Sequence, residues 1–181
     1  MIPVKSKLLI NIFIVFLIIG AVMLIVFELQ KSRKSDITLN IIDDNNIPDI
    51  YVKVQEVIDG DTIKVLIAGK TETVRLIGID TPEVYKNPEC YGKEASDYVK
   101  KILTDKYVYL SSDTKVGDRD EYGRILRYVF LPDYSLLNAK LVGQGYAFNF
   151  IYSEFFLMKY FSDLEQQAKK NKIGLWGICD F

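Results

Sequence analysis

The hydrophobic pattern divides the chain into two parts. Residues 8–27 form an apolar run that has no charged side chain and only one strongly polar residue, Asn11. From residue 50 onward, apolar and polar residues alternate in short runs. Twenty residues in an α-helix rise about 30 Å, which is the thickness of the hydrocarbon core of a bilayer. We therefore predict a membrane-spanning helix over residues 8–27, preceded by a short tail over residues 1–7 and followed by a polar linker over residues 28–49.

Two alternatives for the apolar run stay open at this point. A cleavable signal peptide usually has a shorter apolar region, of about 7–15 residues, and a small-residue cleavage site, which the sequence after Phe27 does not supply. A buried core helix is rarely apolar on every face at the start of a soluble domain. Lysine and arginine flank both ends of the run, so the charge distribution does not decide its orientation.

The domain over residues 50–181 has the pattern of a small β-rich fold with helices. Five runs are strand-like: 51–58, 62–68, 71–79, 107–111 and 124–131. Three runs place apolar residues at helical spacing: 92–103, 135–142 and 155–172. Turn residues after the first and second strands predict a meander, and Gly174 is the predicted C-cap of the last helix. This order predicts an α+β fold, a five-stranded OB-type β-barrel with three helices.

The charge of the domain limits how it could bind a polyanion. Residues 1–35 contain five Lys or Arg and one Glu, so 18 of the 23 basic and 23 of the 24 acidic residues remain, a net charge of −5. A domain with this charge is not a general nucleic-acid binder. Action on nucleic acid would have to rely on a few placed cations and a bound metal.

Cysteine and histidine usage narrows the chemistry. The chain has no histidine, and its two cysteines, Cys90 and Cys179, are far apart and outside any CxxC motif, which argues against a zinc site. In an oxidising compartment they would form a disulfide that ties the C-terminal tail to the body of the domain. Two free buried thiols are the alternative. We predict the disulfide, and with it an extracytoplasmic domain.

Two aspartates are candidates for a cation site. Asp61 begins the second strand beside the turn at Asp59, and Asp80 ends the third, so a meander can bring both to one edge. Paired carboxylates suit hard cations such as Ca²⁺ or Mg²⁺. Glu83 follows closely and could orient or deprotonate a water molecule near the cation. Taken singly, each residue also has an ordinary explanation as a turn residue, a strand terminator or a solvated surface group.

Two arginines could bind a phosphate beside this cation. Arg75 lies within the third strand, and Arg124 lies at the start of the fifth. Two guanidinium groups and one divalent cation would stabilise a pentacovalent phosphorane, whose charge exceeds that of the diester. We predict that loss of either arginine or of Glu83 lowers turnover by orders of magnitude and leaves folding nearly intact, because surface-facing side chains contribute little to the core.

Several sequence blocks together resemble one family. Residues 57–62, 75–83, 91–95 and 120–124 resemble, in order, the signature blocks of the staphylococcal nuclease (thermonuclease) family, and residues 145–147 and 174–176 extend the match. The resemblance covers roughly residues 50–178. It implies the OB-type barrel and a calcium-dependent phosphodiesterase that acts on DNA and RNA and leaves 3′-phosphate ends.

The resemblance also implies a role for each matching residue. The implied catalytic residues are Arg75 and Arg124, which would bind the phosphate, and Glu83, the general base or water-orienting group. The implied calcium ligands are the carboxylates of Asp61 and Asp80 and the backbone carbonyl of Thr81. The candidate substrate-binding residues are Tyr122, Tyr152 and Lys86. At Glu121 the sequence departs from the family's best-known member, which has a lysine there.

These observations predict a membrane-anchored nuclease. We expect its catalytic domain on the outer side of the cell membrane, or in the medium if the N-terminal segment is cleaved. Single-stranded or denatured DNA and RNA are the expected substrates, and a monomer is the expected state. Two alternatives are an OB-type module that binds single strands by aromatic stacking without cutting them, and a structural extracytoplasmic domain without metal affinity.

Overall fold

The computed structural model describes residues 16–26, 28 and 50–180, and the structural statements below concern these residues. The chain divides into two compact units, 1–43 and 44–181. In the first unit residues 16–26 are helical, and no helix among the described residues is both long and apolar enough to cross a membrane. The rest of the predicted span over 8–27, and nearly all of the predicted linker over 28–49, lie outside the described residues, so both stay predictions.

The second unit is a closed β-barrel with helices. Its strands are β1 Ile50–Val57, β2 Thr62–Ile67, β3 Lys70–Leu76, β4 Ile79–Asp80, β5 Tyr107–Ser111, β6 Ile125–Phe130 and β7 Phe148–Asn149. Its helices are α1 Gly92–Leu103, α2 Leu137–Gly143, α3 Met158–Lys170 and α4 Leu175–Ile178. The barrel order is β1-β2-β3-β6-β5, and β5 pairs with β1 to close it. The predicted closed five-stranded barrel is therefore confirmed, and it is consistent with the OB type. In its described residues the unit has four helices where three were predicted, because the four-residue helix α4 is too short to show a helical period.

The alternation of the strands explains the barrel core. Successive side chains of a strand point to opposite faces, so every second residue faces inward. Val52 and Val54 of β1, Ile63 and Val65 of β2, and Val74 of β3 are buried in this way. The register of β1 against β2 shifts between Val54 and Glu56, which marks a β-bulge. A bulge bends a strand, and this one lies just before the turn that carries Asp61.

The end of α3 differs from the prediction. The helix ends at Lys170, and its last carbonyls accept hydrogen bonds from Lys172 N–H (to Lys169 O, 3.1 Å) and Ile173 N–H (to Ala168 O, 2.9 Å). This is a Schellman motif with Lys172, not glycine, in the left-handed conformation (φ +51°). The predicted C-cap at Gly174 was therefore wrong, because Gly174 is the N-cap of α4 instead.

The two cysteines are joined, as predicted. The Cys90–Cys179 disulfide links Cα atoms 5.9 Å apart in space and 89 residues apart in sequence. Cys90 lies shortly before the first residue of α1, and Cys179 follows the last residue of α4. The disulfide therefore ties the chain between β4 and α1 to the C-terminal end of the domain.

Candidate active site

Arg75 lies between the two predicted metal-binding aspartates. Its Nε is 3.2 Å from Asp61 Oδ1, and its Nη2 donates to Asp80 Oδ1 at 2.7 Å. The pairing of β2 with β3 explains this geometry, since Thr62, the residue after Asp61, is the register partner of Arg75. The structure therefore brings both aspartates within reach of one guanidinium group, as the meander predicted.

Asp61 is the most enclosed member of the group. Its side chain is only 8% exposed. Oδ1 accepts the Thr62 hydroxyl at 2.9 Å, and Oδ2 accepts both the backbone N–H (2.9 Å) and the hydroxyl (3.1 Å) of Thr81. With Arg75, these donors engage about as many lone pairs as a carboxylate offers. Two of them are hydroxyl groups, which can rotate, so one site on Asp61 can be freed for another ligand at small cost.

Asp80 was predicted to end the third strand, but β3 ends at Leu76, and Asp80 lies in a separate element that the sequence did not predict. The two-residue strand β4 pairs with β7, with Asp80 opposite Phe148 and Ile79 opposite Asn149. Arg75 Nη1 also donates to Ile79 O at 2.6 Å. These contacts hold the half-exposed Asp80 carboxylate against the guanidinium group that also contacts Asp61. Strands of two residues carry no hydrophobic period, so no sequence signal pointed to this pair.

Carboxylates crowd one small cavity of about 160 Å³. Its lining residues are Asp59, Asp61, Thr62, Arg75, Asp80, Thr81, Pro82, Glu83 and Arg124. Burial and then the charge of Asp61 raise the pKa of both Asp59 and Asp80 to about 6. Mutual repulsion of this kind is what a bound cation would relieve.

The donors of this cavity fit a hard cation only in part. In the described part of the chain, no three carboxylate, histidine or cysteine groups converge on one ligand position. A cation here would therefore be held by two carboxylates together with neutral oxygens, such as the Thr81 carbonyl and water. Calcium accepts such mixed oxygen ligands.

Arg124 is presented to the same cavity by a tight turn. Asp120 Oδ1 accepts the backbone N–H groups of Tyr122 (3.0 Å) and Arg124 (2.9 Å), and its Oδ2 accepts Arg124 Nε at 2.7 Å. Burial acts to raise the pKa of Asp120, but these hydrogen bonds outweigh it and hold the pKa below its usual value. Sequence reasoning missed Asp120, although an Asp four positions before an Arg in a glycine-containing turn could have signalled it.

A larger cavity of about 500 Å³ adjoins the first and shares Arg75, Asp80 and Arg124 with it. Tyr122 and Tyr152 line it, as predicted for substrate-binding residues, and both are largely exposed. Its other aromatic lining residues are Phe150 and Phe155, which sequence reasoning missed. A cavity of this size, with aromatic walls and cations at one end, can hold a nucleotide.

Asp113 is another residue that sequence reasoning missed, and it connects the loops that line this cavity. It is buried and accepts the Tyr128 hydroxyl at 2.6 Å and the Phe156 N–H at 2.8 Å. It also accepts the Lys115 N–H at 2.9 Å. These bonds tie β6 to two loops that line the cavity. Asp113 follows two serines in a polar stretch, so nothing in the sequence signalled its burial.

The remaining predicted residues have different placements. Glu83 is exposed at the rim of the smaller cavity. Lys86 is exposed on the loop 84–90 and lines neither of the two cavities described here. Its predicted role in binding substrate therefore has no support from this geometry.

The two adjoining cavities form one cleft. The fold and this cleft together define a class of protein: an OB-type barrel with carboxylates and guanidinium groups in the smaller cavity and aromatic side chains in the larger one. The sequence model of a family described as Staphylococcal nuclease homologue matches residues 73–177. The chain belongs to this family.

Three relatives illustrate the likeness. A thermonuclease of Staphylococcus hyicus is 44% identical over 130 residues, which cover 68% of this chain and 74% of that protein. An uncharacterized endonuclease of Escherichia coli is 34% identical over 132 residues, 73% of this chain and 80% of the relative. Endonuclease YncB of Bacillus subtilis is 37% identical over 136 residues, 70% of this chain and 62% of the relative.

Proposed function

We propose that this chain is a calcium-dependent nuclease that hydrolyses phosphodiester bonds in single-stranded DNA and RNA. Family membership, and relatives named as a thermonuclease and as endonucleases, support phosphodiester hydrolysis. The observation that carries the proposal is the cleft itself, where Asp61, Asp80, Arg75 and Arg124 line one cavity of about 160 Å³. Carboxylates that can hold a cation and guanidinium groups that can hold a phosphate are both needed at a scissile phosphodiester, and here they are adjacent.

The two arginines bind the scissile phosphate in this proposal. A phosphorane carries more negative charge than the diester, so guanidinium groups placed beside it stabilise the transition state more than the ground state. Arg124 is 30% exposed and can turn toward a ligand, whereas Arg75 is 13% exposed and already oriented by four acceptors. Arg75 therefore acts as a fixed cation and Arg124 as an adjustable one.

Glu83 acts on the attacking water. Its position at the rim, two residues after Thr81, places a carboxylate at the open side of the cleft. A carboxylate there orients the water molecule and accepts its proton as the water oxygen attacks phosphorus and the 5′ oxygen departs. The phosphate stays on the 3′ side, which gives the 3′-phosphate ends that the family resemblance implies.

Asp61, Asp80 and the Thr81 carbonyl are the proposed calcium ligands. Rotation of one threonine hydroxyl frees a site on Asp61. Burial first, and then repulsion from Asp61, raise the pKa of Asp80, and a bound cation would relieve the repulsion. When bound, calcium would neutralise the carboxylates and polarise a phosphoryl oxygen.

The aromatic cavity supports a preference for single strands. Bases stack on exposed aromatic side chains such as Tyr122 and Tyr152 only when they are not stacked within a duplex. Such stacking tolerates any sequence and does not depend on the sugar, which agrees with action on both DNA and RNA. Both cavities are complete within one chain, and this supports a monomeric enzyme.

The proposed location is the outer side of a cell membrane. The apolar run over 8–27 supports an anchor, and the Cys90–Cys179 disulfide supports an oxidising compartment. If the N-terminal segment is cleaved, the same domain is secreted.

One assay tests this function. The full-length chain, purified in mild detergent, is incubated with denatured DNA or with RNA, with calcium or with a chelator. We expect calcium-dependent cleavage that falls by orders of magnitude in Glu83→Gln and Arg124→Ala, while the melting temperature of both variants stays near that of the wild type. Retention of the strand without cleavage would favour the binding module, and neither binding nor cleavage would favour the structural domain.

A further inference from the structure

Glu89 forms reciprocal contacts with the backbone of Glu83. The Glu83 N–H donates to Glu89 Oε2 at 3.0 Å, and the Glu89 N–H donates to Glu83 O at 2.9 Å. Both backbone polar groups of Glu83 are therefore engaged by one residue six positions later. The Gly92 N–H in turn donates to Glu89 O at 3.1 Å, which joins this ring of hydrogen bonds to the start of α1.

Two further contacts fix the loop 84–90, which contains Glu89. The Tyr85 hydroxyl donates to Ile58 O at 2.9 Å, so the loop is tied to the turn that carries Asp59 and Asp61. Cys90, the residue after Glu89, is held by its disulfide to Cys179. The loop is thus held near its start and at its end.

Close packing leaves little room for the Glu83 backbone to shift. A Cβ atom added at Gly92 would lie 2.8 Å from the Pro82 carbonyl oxygen and nearer still to that of Glu83. The first turn of α1 therefore lies directly against the backbone of this segment. A side chain at position 92 would force the backbone of Pro82 and Glu83 to shift.

We infer that Glu89 is a positioning residue that holds the backbone of Glu83 so that the Glu83 carboxylate faces the cleft. This inference rests on the proposed function. An exposed glutamate on a mobile loop would sample many positions, and a misplacement of about 1 Å can cost about 100-fold in rate. The Glu89 carboxylate removes that freedom, because it is the acceptor for the Glu83 N–H, and a backbone hydrogen bond fixes the Cα from which the catalytic side chain extends.

The test compares Glu89→Ala with Glu89→Gln in the full-length chain. The alanine removes the acceptor, and we expect kcat to fall about 10- to 100-fold with KM changed less than about threefold. Glutamine keeps an oxygen that can accept the Glu83 N–H, so it should retain most of the wild-type kcat. Asp133→Ala is the matched control, since Asp133 also accepts a backbone N–H, that of Ser135 at 3.0 Å, in a loop that lines neither cavity.

A double variant separates positioning from general damage. If Glu89 acts through Glu83, Glu89→Ala should cause little further loss of kcat in a Glu83→Gln background. Additive losses, an equal loss in Asp133→Ala, or a Glu89→Gln variant as slow as Glu89→Ala would each overturn the inference.

Hydrogen exchange gives a readout that does not require activity. The Glu83 amide should be protected in the wild type and in Glu89→Gln, and should lose protection in Glu89→Ala while amides of β2 keep theirs. A wild-type chain without nuclease activity would refute the proposed function, whereas an unchanged Glu83 amide in Glu89→Ala would refute the positioning role alone.

Discussion

Replacement of Arg75 by alanine should destabilise the domain much more than replacement of Arg124. Arg75 is the ionic partner of Asp61, whose side chain is 8% exposed, and it also bonds the carbonyls of Leu76 and Ile79. Removal of one partner of a buried pair costs about 3–5 kcal/mol, because the other charge stays buried without compensation. The pair with Asp80, which is 49% exposed, adds less than about 1 kcal/mol.

Asp61 keeps its three threonine hydrogen bonds in this variant, so we expect the lower end of the range, about 3 kcal/mol. Arg124→Ala should cost less than about 1 kcal/mol, since that side chain is 30% exposed. This revises the expectation from sequence that either arginine could be removed with folding nearly intact.

The assay is urea unfolding of the full-length chain in a chelator, followed by the fluorescence of its single tryptophan, Trp176. For a domain of this size, a loss of 3 kcal/mol corresponds to a fall of about 12 °C in melting temperature. If Arg75→Ala and Arg124→Ala destabilise the domain equally, the argument that Asp61 depends on Arg75 is refuted.

Two further predictions follow from the structure. Replacement of both Cys90 and Cys179 by serine should lower the free energy of unfolding by about 4–5 kcal/mol, because the disulfide closes a loop of 89 residues; a loss below about 1 kcal/mol in urea unfolding would contradict this. The second prediction concerns pH. The pKa values of Asp59 and Asp80 are about 6 in the folded chain, above their unfolded values. The stability that these two groups contribute is therefore present below about pH 4 and is lost as the pH rises through 6. Calcium should therefore raise the melting temperature more at pH 7.5 than at pH 5, and an equal shift at both pH values would count against the proposed cation site.

Much of the barrel could be predicted because its signals are local. Alternation located the five barrel strands within a few residues of their observed bounds, for example β1 at Ile50–Val57 against a predicted 51–58. The meander also predicted that Asp61 and Asp80 lie at one edge of the barrel, and both contact Arg75 there, although the pairing of β4 with β7 also holds Asp80 in place. The strand positions and the β2–β3 hairpin need only contacts between residues that are close in sequence.

What could not be predicted depends on contacts between distant residues. The pairing of β4 with β7 joins residues about 70 positions apart, and neither strand is long enough to show a period. Asp113 is buried by Tyr128 and by Phe156, 43 residues later. Glycine favours positive φ, which pointed to Gly174 as the C-cap of α3. Gly174 does have positive φ (+59°), but it is the N-cap of α4, and Lys172 (φ +51°) takes the left-handed position after α3.

The calcium dependence of cleavage in aspartate variants tests the central claim most directly. If Asp61 and Asp80 hold the ion beside the scissile phosphate, Asp61→Asn and Asp80→Asn should each raise the calcium concentration needed for half-maximal cleavage of denatured DNA by tenfold or more, while Asp133→Asn leaves it unchanged. Cleavage by the wild-type chain that persists in a chelator, or a half-maximal calcium concentration that is the same in all three variants, would contradict the account.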